Sequence, residues 1–155
     1  MKNILVVSDL HYDKINIEKI MPKMKEADVV IFCGDGLERF KKLTAEFSEK
    51  VVSVCGNCDS FNQGDEKFIE VEGLKILVTH GHRFGVKSGL FNLCEFSREN
   101  GVDVAFFGHT HEATFVENGG VKMINPGAIS DFTQPSYYFC TVSDGKMFGK
   151  HTVVK

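Results

Sequence analysis

Five short apolar runs in this chain each stop at a side chain that carries a nitrogen or oxygen donor. Residues 4–8 (ILVVS) run into Asp9, with His11 two positions on, and residues 29–34 (VVIFCG) run into Asp35. Residues 51–56 (VVSVCG) end at Asn57, and residues 74–79 (LKILVT) end at His80. Residues 102–108 (VDVAFFG) end at His109, with His111 two positions later. Near-continuous runs of this length, rich in β-branched residues, predict strands buried on both faces. In open α/β sheets, sites form in the crevice beyond the carboxyl ends of such strands. The expectation is therefore that these seven donors meet at one edge of one sheet.

At 155 residues the chain is long enough for one domain with a substantial core, and the expected organisation is a single domain over 1–155. A formal charge of −3 supplies no whole-protein basic field for a nucleic acid backbone, so duplex nucleic acid is not an expected partner. No apolar stretch approaches the roughly 20 residues that cross a bilayer, so no membrane association is expected. Met1, Lys2 and Asn3 lead straight into the first run without a signal-like segment, and a cytoplasmic location is expected. Cys33, Cys55, Cys58, Cys94 and Cys140 are odd in number and lack disulfide-like spacing, which fits free thiols in a reducing compartment. Cys55 and Cys58 form a lone C-x-x-C with no second pair to complete a zinc ribbon. Self-association into a homo-oligomer is compatible with all of this.

Between the runs, apolar spacing predicts a helix over 15–27 that Pro22 breaks into two short turns. Further helices are predicted over 36–49 and 88–100, the last capped by Gly101. A polar loop is expected through Gln63, Gly64 and Asp65. Glu72-Gly73 predicts a hairpin between 67–71 and 74–79. After His111 the alternation of strand and helix stops. Hairpins are predicted around Asn118-Gly119-Gly120 and Asp144-Gly145, so the chain is expected to finish as an antiparallel meander. The fold class is α/β: a mixed sheet, or two sheets packed face to face with helices outside.

Singly, the donors are weak signals, because a strand-terminal Asp is a favoured helix N-cap and a lone His is commonly a satisfied core residue. Together they are not. Asp9 with His11, and His109 with His111, lie two apart, so each pair projects to one side of an extended segment. With Asp35, Asn57 and His80 they make three oxygen-bearing side chains and four imidazoles. That exceeds the three or four protein ligands of one catalytic zinc and suits two ions about 3.5–4 Å apart, bridged most naturally by Asp35. Imidazole with carboxylate favours Mn, Fe, Zn, Ni or Co over Mg, with Mn the leading expectation.

In order, Asp9-x-His11, Gly34-Asp35, Gly56-Asn57-x-Asp59, His80 and Gly108-His109-x-His111 resemble the signature of the calcineurin-like metallophosphoesterases. Asn125-Pro126-Gly127 and the C-terminal hairpins are similar to the small single-domain phosphodiesterases of that family. The resemblance implies a four-layer αββα sandwich of two mixed sheets flanked by helices. It implies one divalent ion held by Asp9, His11, Asp35 and His111, and a second by Asp35, Asn57, His80 and His109. The implied activity is hydrolysis of a small phosphoester, most naturally a phosphodiester, by attack of a hydroxide bridging the two ions, with Asn57 orienting near the second.

The sequence departs from many relatives directly after Asn57, where a leaving-group histidine is replaced by Cys58. A thiol is mostly protonated at neutral pH, so Cys58 is a conceivable acid, although free Cys is commonly a filler of tight turns. His82, two residues past His80, is the more attractive substitute, and with Arg83 it is placed to meet a phosphate or simply solvent. His151 is expected to be structural. Two other readings stay open: a protein-docking scaffold of the same fold, and a nuclease, which three arginines (Arg39, Arg83, Arg98) equip poorly. Short loops with no inserted cap domain imply a shallow, open site.

Overall fold

The computed structural model describes residues 1–60 and 64–155. Its order is β1 (Lys2–Val7), α1 (Ile15–Lys19), α2 (Met21–Glu26), β2 (Val29–Phe32), α3 (Leu37–Leu43), β3 (Val51–Ser53), β4 (Glu66–Val71), β5 (Leu74–Thr79), α4 (Phe91–Glu99), β6 (Val104–Phe106), β7 (Thr114–Asn118), β8 (Val121–Asn125), β9 (Ser136–Ser143) and β10 (Lys146–Val153). Two five-stranded sheets result, in the orders β10-β9-β1-β2-β3 and β4-β5-β6-β8-β7. Each is mixed. In the first, β1, β2 and β3 run parallel while β9 returns antiparallel to β1. In the second, β5, β6 and β8 are parallel, with β4 and β7 antiparallel at the edges.

Side-chain alternation along the strands sorts the core into three layers. Ile4 and Val6 point between the sheets, where they join Ile76, Val78, Val104 and Phe106. Leu5 and Val7 point the other way, under Ile17 and Met24 of the first two helices and Phe40 of α3. On the outside of the second sheet Leu77, Ala105 and Met123 pack under Leu93 and Cys94 of α4. The layers are therefore helix, sheet, sheet, helix. Phe106, with no exposed surface, sits in the middle layer, and its truncation to Ala would cost about 3–5 kcal/mol.

Local chemistry sets the breaks. Pro22 falls in the first turn of α2, where its missing N–H costs nothing, so the 15–27 helix divides at Ile20. The 36–49 helix is α3 followed by a 3-10 turn at Ala45–Lys50. Gly101, at φ 66°, follows the end of α4 in the left-handed conformation expected of a capping glycine. Of the expected polar loop, Gln63 lies outside the described residues.

The C-terminal hairpins do not form one meander. β7-β8 completes the second sheet and β9-β10 the first. Each strand is apolar enough for either sheet, so the turn sequences fix the hairpins but not the sheet that takes them. The turns at Glu72-Gly73 and Asp144-Gly145, all four residues at positive φ, meet through the Gly145 N–H to the Glu72 carbonyl at 2.7 Å. That contact closes the sandwich at the end away from the donors. Among the described residues no helix is long and apolar enough to cross a membrane.

Candidate metal centre

The donors converge from both sheets, not from one. Asp9 and His11 follow β1, Asp35 follows β2 and Asn57 lies beyond β3, all from the first sheet. His80 follows β5, and His109 and His111 follow β6, from the second. Buried strands of either sheet read alike in sequence, so the shared edge was legible and its division was not.

The backbone is bent to bring them together. Asp9, His11, Asp35, His109 and His111 all have positive φ, between 48° and 72°. Among the described residues the other non-glycine positions with positive φ are Glu72 and Asp144, in hairpin turns. Left-handed conformations in non-glycine residues cost about 1–3 kcal/mol each and gather where function over-determines them. The glycines before Asp35, Asn57 and His109 have a steric reason. A Cβ on Gly56 would lie 2.0 Å from the Asp35 Oδ1, and one on Gly108 would lie 2.6 Å from the Asp9 Oδ2.

Among the described residues three overlapping donor groups form in this space, two of them built from carboxylate and imidazole alone. Asp9, His11 and His111 present donor atoms to one another, and so do Asp35, His80 and His109. The Asp9 Oδ1 lies 3.2 Å from the His111 Nε2 and 3.7 Å from the His11 Nε2. The two imidazole nitrogens of His11 and His111 are 3.2 Å apart. The Asp35 Oδ2 is 3.2 Å from the His80 Nε2 and 3.9 Å from the His11 Nε2, so Asp35 reaches both clusters. Donors about 2.1 Å from one ion lie about 3.0–3.4 Å from each other, close to these separations. The Asp9 Oδ1 and His80 Nε2 are buried without a hydrogen-bond partner, a costly arrangement that a cation relieves.

Neighbouring groups fix the orientation. The His80 Nδ1 donates to the Cys33 carbonyl at 2.7 Å, which leaves the Nε2 lone pair facing the cluster. The Asp9 Oδ2 accepts from the Ser8 hydroxyl at 2.6 Å and the His109 N–H at 3.1 Å, freeing Oδ1. The Asp35 Oδ1 accepts the Cys58 N–H at 2.8 Å. Burial pushes the Asp9 carboxyl up, but the close imidazoles of His11 and His111 and the charge of His80 outweigh it and hold it far below the ordinary range. Burial opposes ionisation of Asp35 too, and His80 again reverses the direction. Asp9 raises the His11 imidazole, and Asp35 with Asp9 raises His80 against its burial. The carboxylates stay ionised and draw protons onto His11 and His80, whereas burial and the His80 charge push His109 down. A divalent ion held by these donors would supply the positive charge in place of the protons. The nitrogen and oxygen donor set fits a transition metal.

The remaining candidates sit at the rim. Asn57 is exposed, its amide 3.7 Å from the Cys58 sulfur. Cys58 is exposed as well, not packed as a filler, and its sulfur shares a donor cluster with His11 and Asp35. Loss of solvent at the sulfur and the Asp35 charge push its thiol up, so it stays protonated. The His82 ring lies 5.4 Å from that of His80 and 6.1 Å from that of His109. Burial and the His80 charge push His82 down. Arg83 is committed to an ion pair with Asp65. His151 accepts a structural role, its Nε2 donating to the Asn125 carbonyl at 2.7 Å.

Sequence reasoning missed the props. Asp59 accepts the N–H groups of Asp35, Gly36, Leu37 and Gly56 at 2.8–3.0 Å, pinning the Asp35 turn against the Asn57 turn. Asn125 donates to the Gly108 carbonyl and the Thr110 hydroxyl, both at 3.0 Å, steadying the His109-x-His111 turn. Their motif positions were visible, but a ligand-free carboxylate and amide carry no signal of what they brace.

Known proteins agree with this geometry. Residues 1–145 match the calcineurin-like phosphoesterase superfamily domain. The chain is 37% identical to the probable metallophosphoesterase YsnB of Bacillus subtilis, over 82% of this chain and 75% of that one. It is 30% identical to the phosphodiesterase MJ0936 of Methanocaldococcus jannaschii, over 79% of this chain and 81% of that one. A predicted phosphoesterase from Streptococcus pneumoniae superposes with a TM-score of 0.82 at 25% identity, covering 98% of this chain and 89% of that one. Vps29 of Entamoeba histolytica has the same fold, with a TM-score of 0.78 over 99% of each chain, but at 20% identity that likeness is of fold alone. With two sheets delivering a metal-fitting donor set to one edge, and this match over most of its length, the chain belongs to the calcineurin-like phosphoesterase superfamily.

Proposed function

We propose that the chain is a metal-dependent phosphodiesterase with a dinuclear centre. One ion is held by Asp9, His11, Asp35 and His111, and the other by Asp35, Asn57, His80 and His109, with Mn the first choice and Ni, Fe, Zn or Co compatible with the donors. The observation that carries this is the pair of donor clusters that Asp35 reaches from between, with the Asp9 Oδ1 and His80 Nε2 buried and unpartnered. Bound in such a site, two divalent ions generate a nucleophile from water at neutral pH and offset charge gathering on the phosphoryl oxygens.

The chain's own residues do the rest. Ser8, the His109 N–H and the Cys33 carbonyl hold the ligating atoms in register before substrate arrives. Asn57, exposed at the rim as a ligand of the second ion, orients the phosphoryl group from there. Proton delivery to the leaving oxygen falls to His82 or to Cys58, whose thiol is kept protonated by loss of solvent and the Asp35 charge. A pure docking scaffold has no use for this convergence of strained donors.

The test is turnover of bis(4-nitrophenyl) phosphate, a 4-nitrophenyl monoester and single-stranded DNA, each with Mn and with EDTA. Diester hydrolysis that depends on metal and exceeds the other two is the expected result. No turnover of any of them would leave the scaffold, and DNA as the best substrate would leave the nuclease.

A further inference from the structure

Two clefts meet at the turn beside the donor clusters. The larger, of about 680 Å³, starts at His11 and Cys58 and runs out between Tyr12, Lys14, Arg39 and Lys42. The smaller, of about 250 Å³, lies on the side of Asn57, His82 and Arg83. Asp59 and Ser60 line both. A monoester needs one such arm and a diester two.

The walls of the larger cleft are chemically specific. Tyr12 is 88% exposed, its ring carried outward on the turn that His11 makes at φ 48°. The Arg39 guanidinium stands over that ring, 6.0 Å from its centre. An aromatic residue this exposed offers a π-face to a planar group, with a cation over the same ring. Lys42 is already matched, 3.3 Å from Glu38. Lys14 and Arg39 remain as positive charge along the cleft. Its volume falls in the range of sites for small molecules, about 300–1,000 Å³.

The geometry points to this cleft as the binding site for a nucleotide arm of the diester substrate, with the base on Tyr12 beside Arg39 and phosphate oxygens toward Lys14. The smaller cleft takes the departing arm. This rests on the reading of the donor clusters as the hydrolytic centre, and adds the class of substrate that the centre receives. Net charge says nothing against it, because a single nucleotide needs one or two local cations and not a basic face.

Two substrates with one leaving group isolate the arm: thymidine 5′-(4-nitrophenyl phosphate) and methyl 4-nitrophenyl phosphate. In each, water adds at phosphorus, the P–O bond to the aryl group breaks, and the products are the alkyl monophosphate and 4-nitrophenol. The nucleotide ester should be preferred in kcat/KM, and Tyr12→Ala should reduce that preference about tenfold, mainly through KM, as expected for one lost stacking platform. Tyr12→Phe should restore it. Arg39→Ala should lower it as well. ADP binding to the chelated protein, followed by calorimetry, reads the cleft apart from turnover and should weaken in Tyr12→Ala. Equal preference in wild type and Tyr12→Ala, with ADP unbound, would overturn the nucleotide cleft and leave the hydrolytic reading standing. ADP bound through Tyr12 by a protein that hydrolyses neither ester would overturn the hydrolytic reading and keep the cleft.

Discussion

Asp35 approaches both donor clusters, its Oδ2 3.2 Å from the His80 Nε2 and 3.9 Å from that of His11, and the Asp9 Oδ1 comes within 4.0 Å of the His80 Nε2. Asp35→Asn removes the charge at that point, so metal occupancy should fall at both positions together, as read by elemental analysis. Loss of one ion would move the bridge elsewhere, with Asp9 the next candidate. At the rim, leaving-group chemistry separates Cys58 from His82. General acid catalysis is worth about 10²–10⁴-fold. Cys58→His should therefore raise turnover of poor leaving groups, monoesters included, and barely change an activated diester. His82→Ala should slow poor leaving groups first. A common factor across a substrate series in both variants would show that neither residue donates the proton. The candidate donors could be named residue by residue because Asp9, Asp35, Asn57, His80 and His109 each end an apolar run, with His11 and His111 two positions past one. Tyr12 and Arg39 could not, since an exposed aromatic and a nearby arginine have no periodicity and meet only through the turn at His11.

At the scale of elements, the glycines that end three of the runs, Gly34, Gly56 and Gly108, are as much a part of the site as the donors after them. Gly56 leaves room for the Asp35 carboxylate, and Gly108 for the side chains of Ser8 and Asp9. Gly56→Ala should push the Asp35 Oδ1 off its place, destabilise the fold by about 1–3 kcal/mol and weaken metal retention. Thermal unfolding and elemental analysis on the same sample check both. An alanine variant with wild-type stability and metal content would contradict the steric account. The strands themselves were readable from their apolar runs, and the hairpins from Glu72-Gly73 and Asp144-Gly145. Membership of a sheet was not readable. β1 and β5 are equally buried, and nothing in Ile4–Val7 or Ile76–Thr79 says that they lie in different sheets. Nor does the sequence of β9 announce that it returns to pair with β1.

As a whole, the molecule is two sheets whose carboxyl ends share one edge, and the strain and buried charge stored there make sense once cations sit among the donors. Five non-glycine donors at positive φ and the unpartnered buried Asp9 Oδ1 and His80 Nε2 weigh against stability in the metal-free chain. Ions that bind only the folded state relieve part of that cost and raise the melting temperature with their concentration. The central claim is a dinuclear, metal-dependent centre, and the most direct test titrates Mn into exhaustively chelated protein while bound metal and diester hydrolysis are followed together. The account predicts an inert chelated protein, and activity that returns as occupancy approaches two ions per chain. Hydrolysis that survives chelation with no bound metal, or that saturates at one ion per chain, would contradict it.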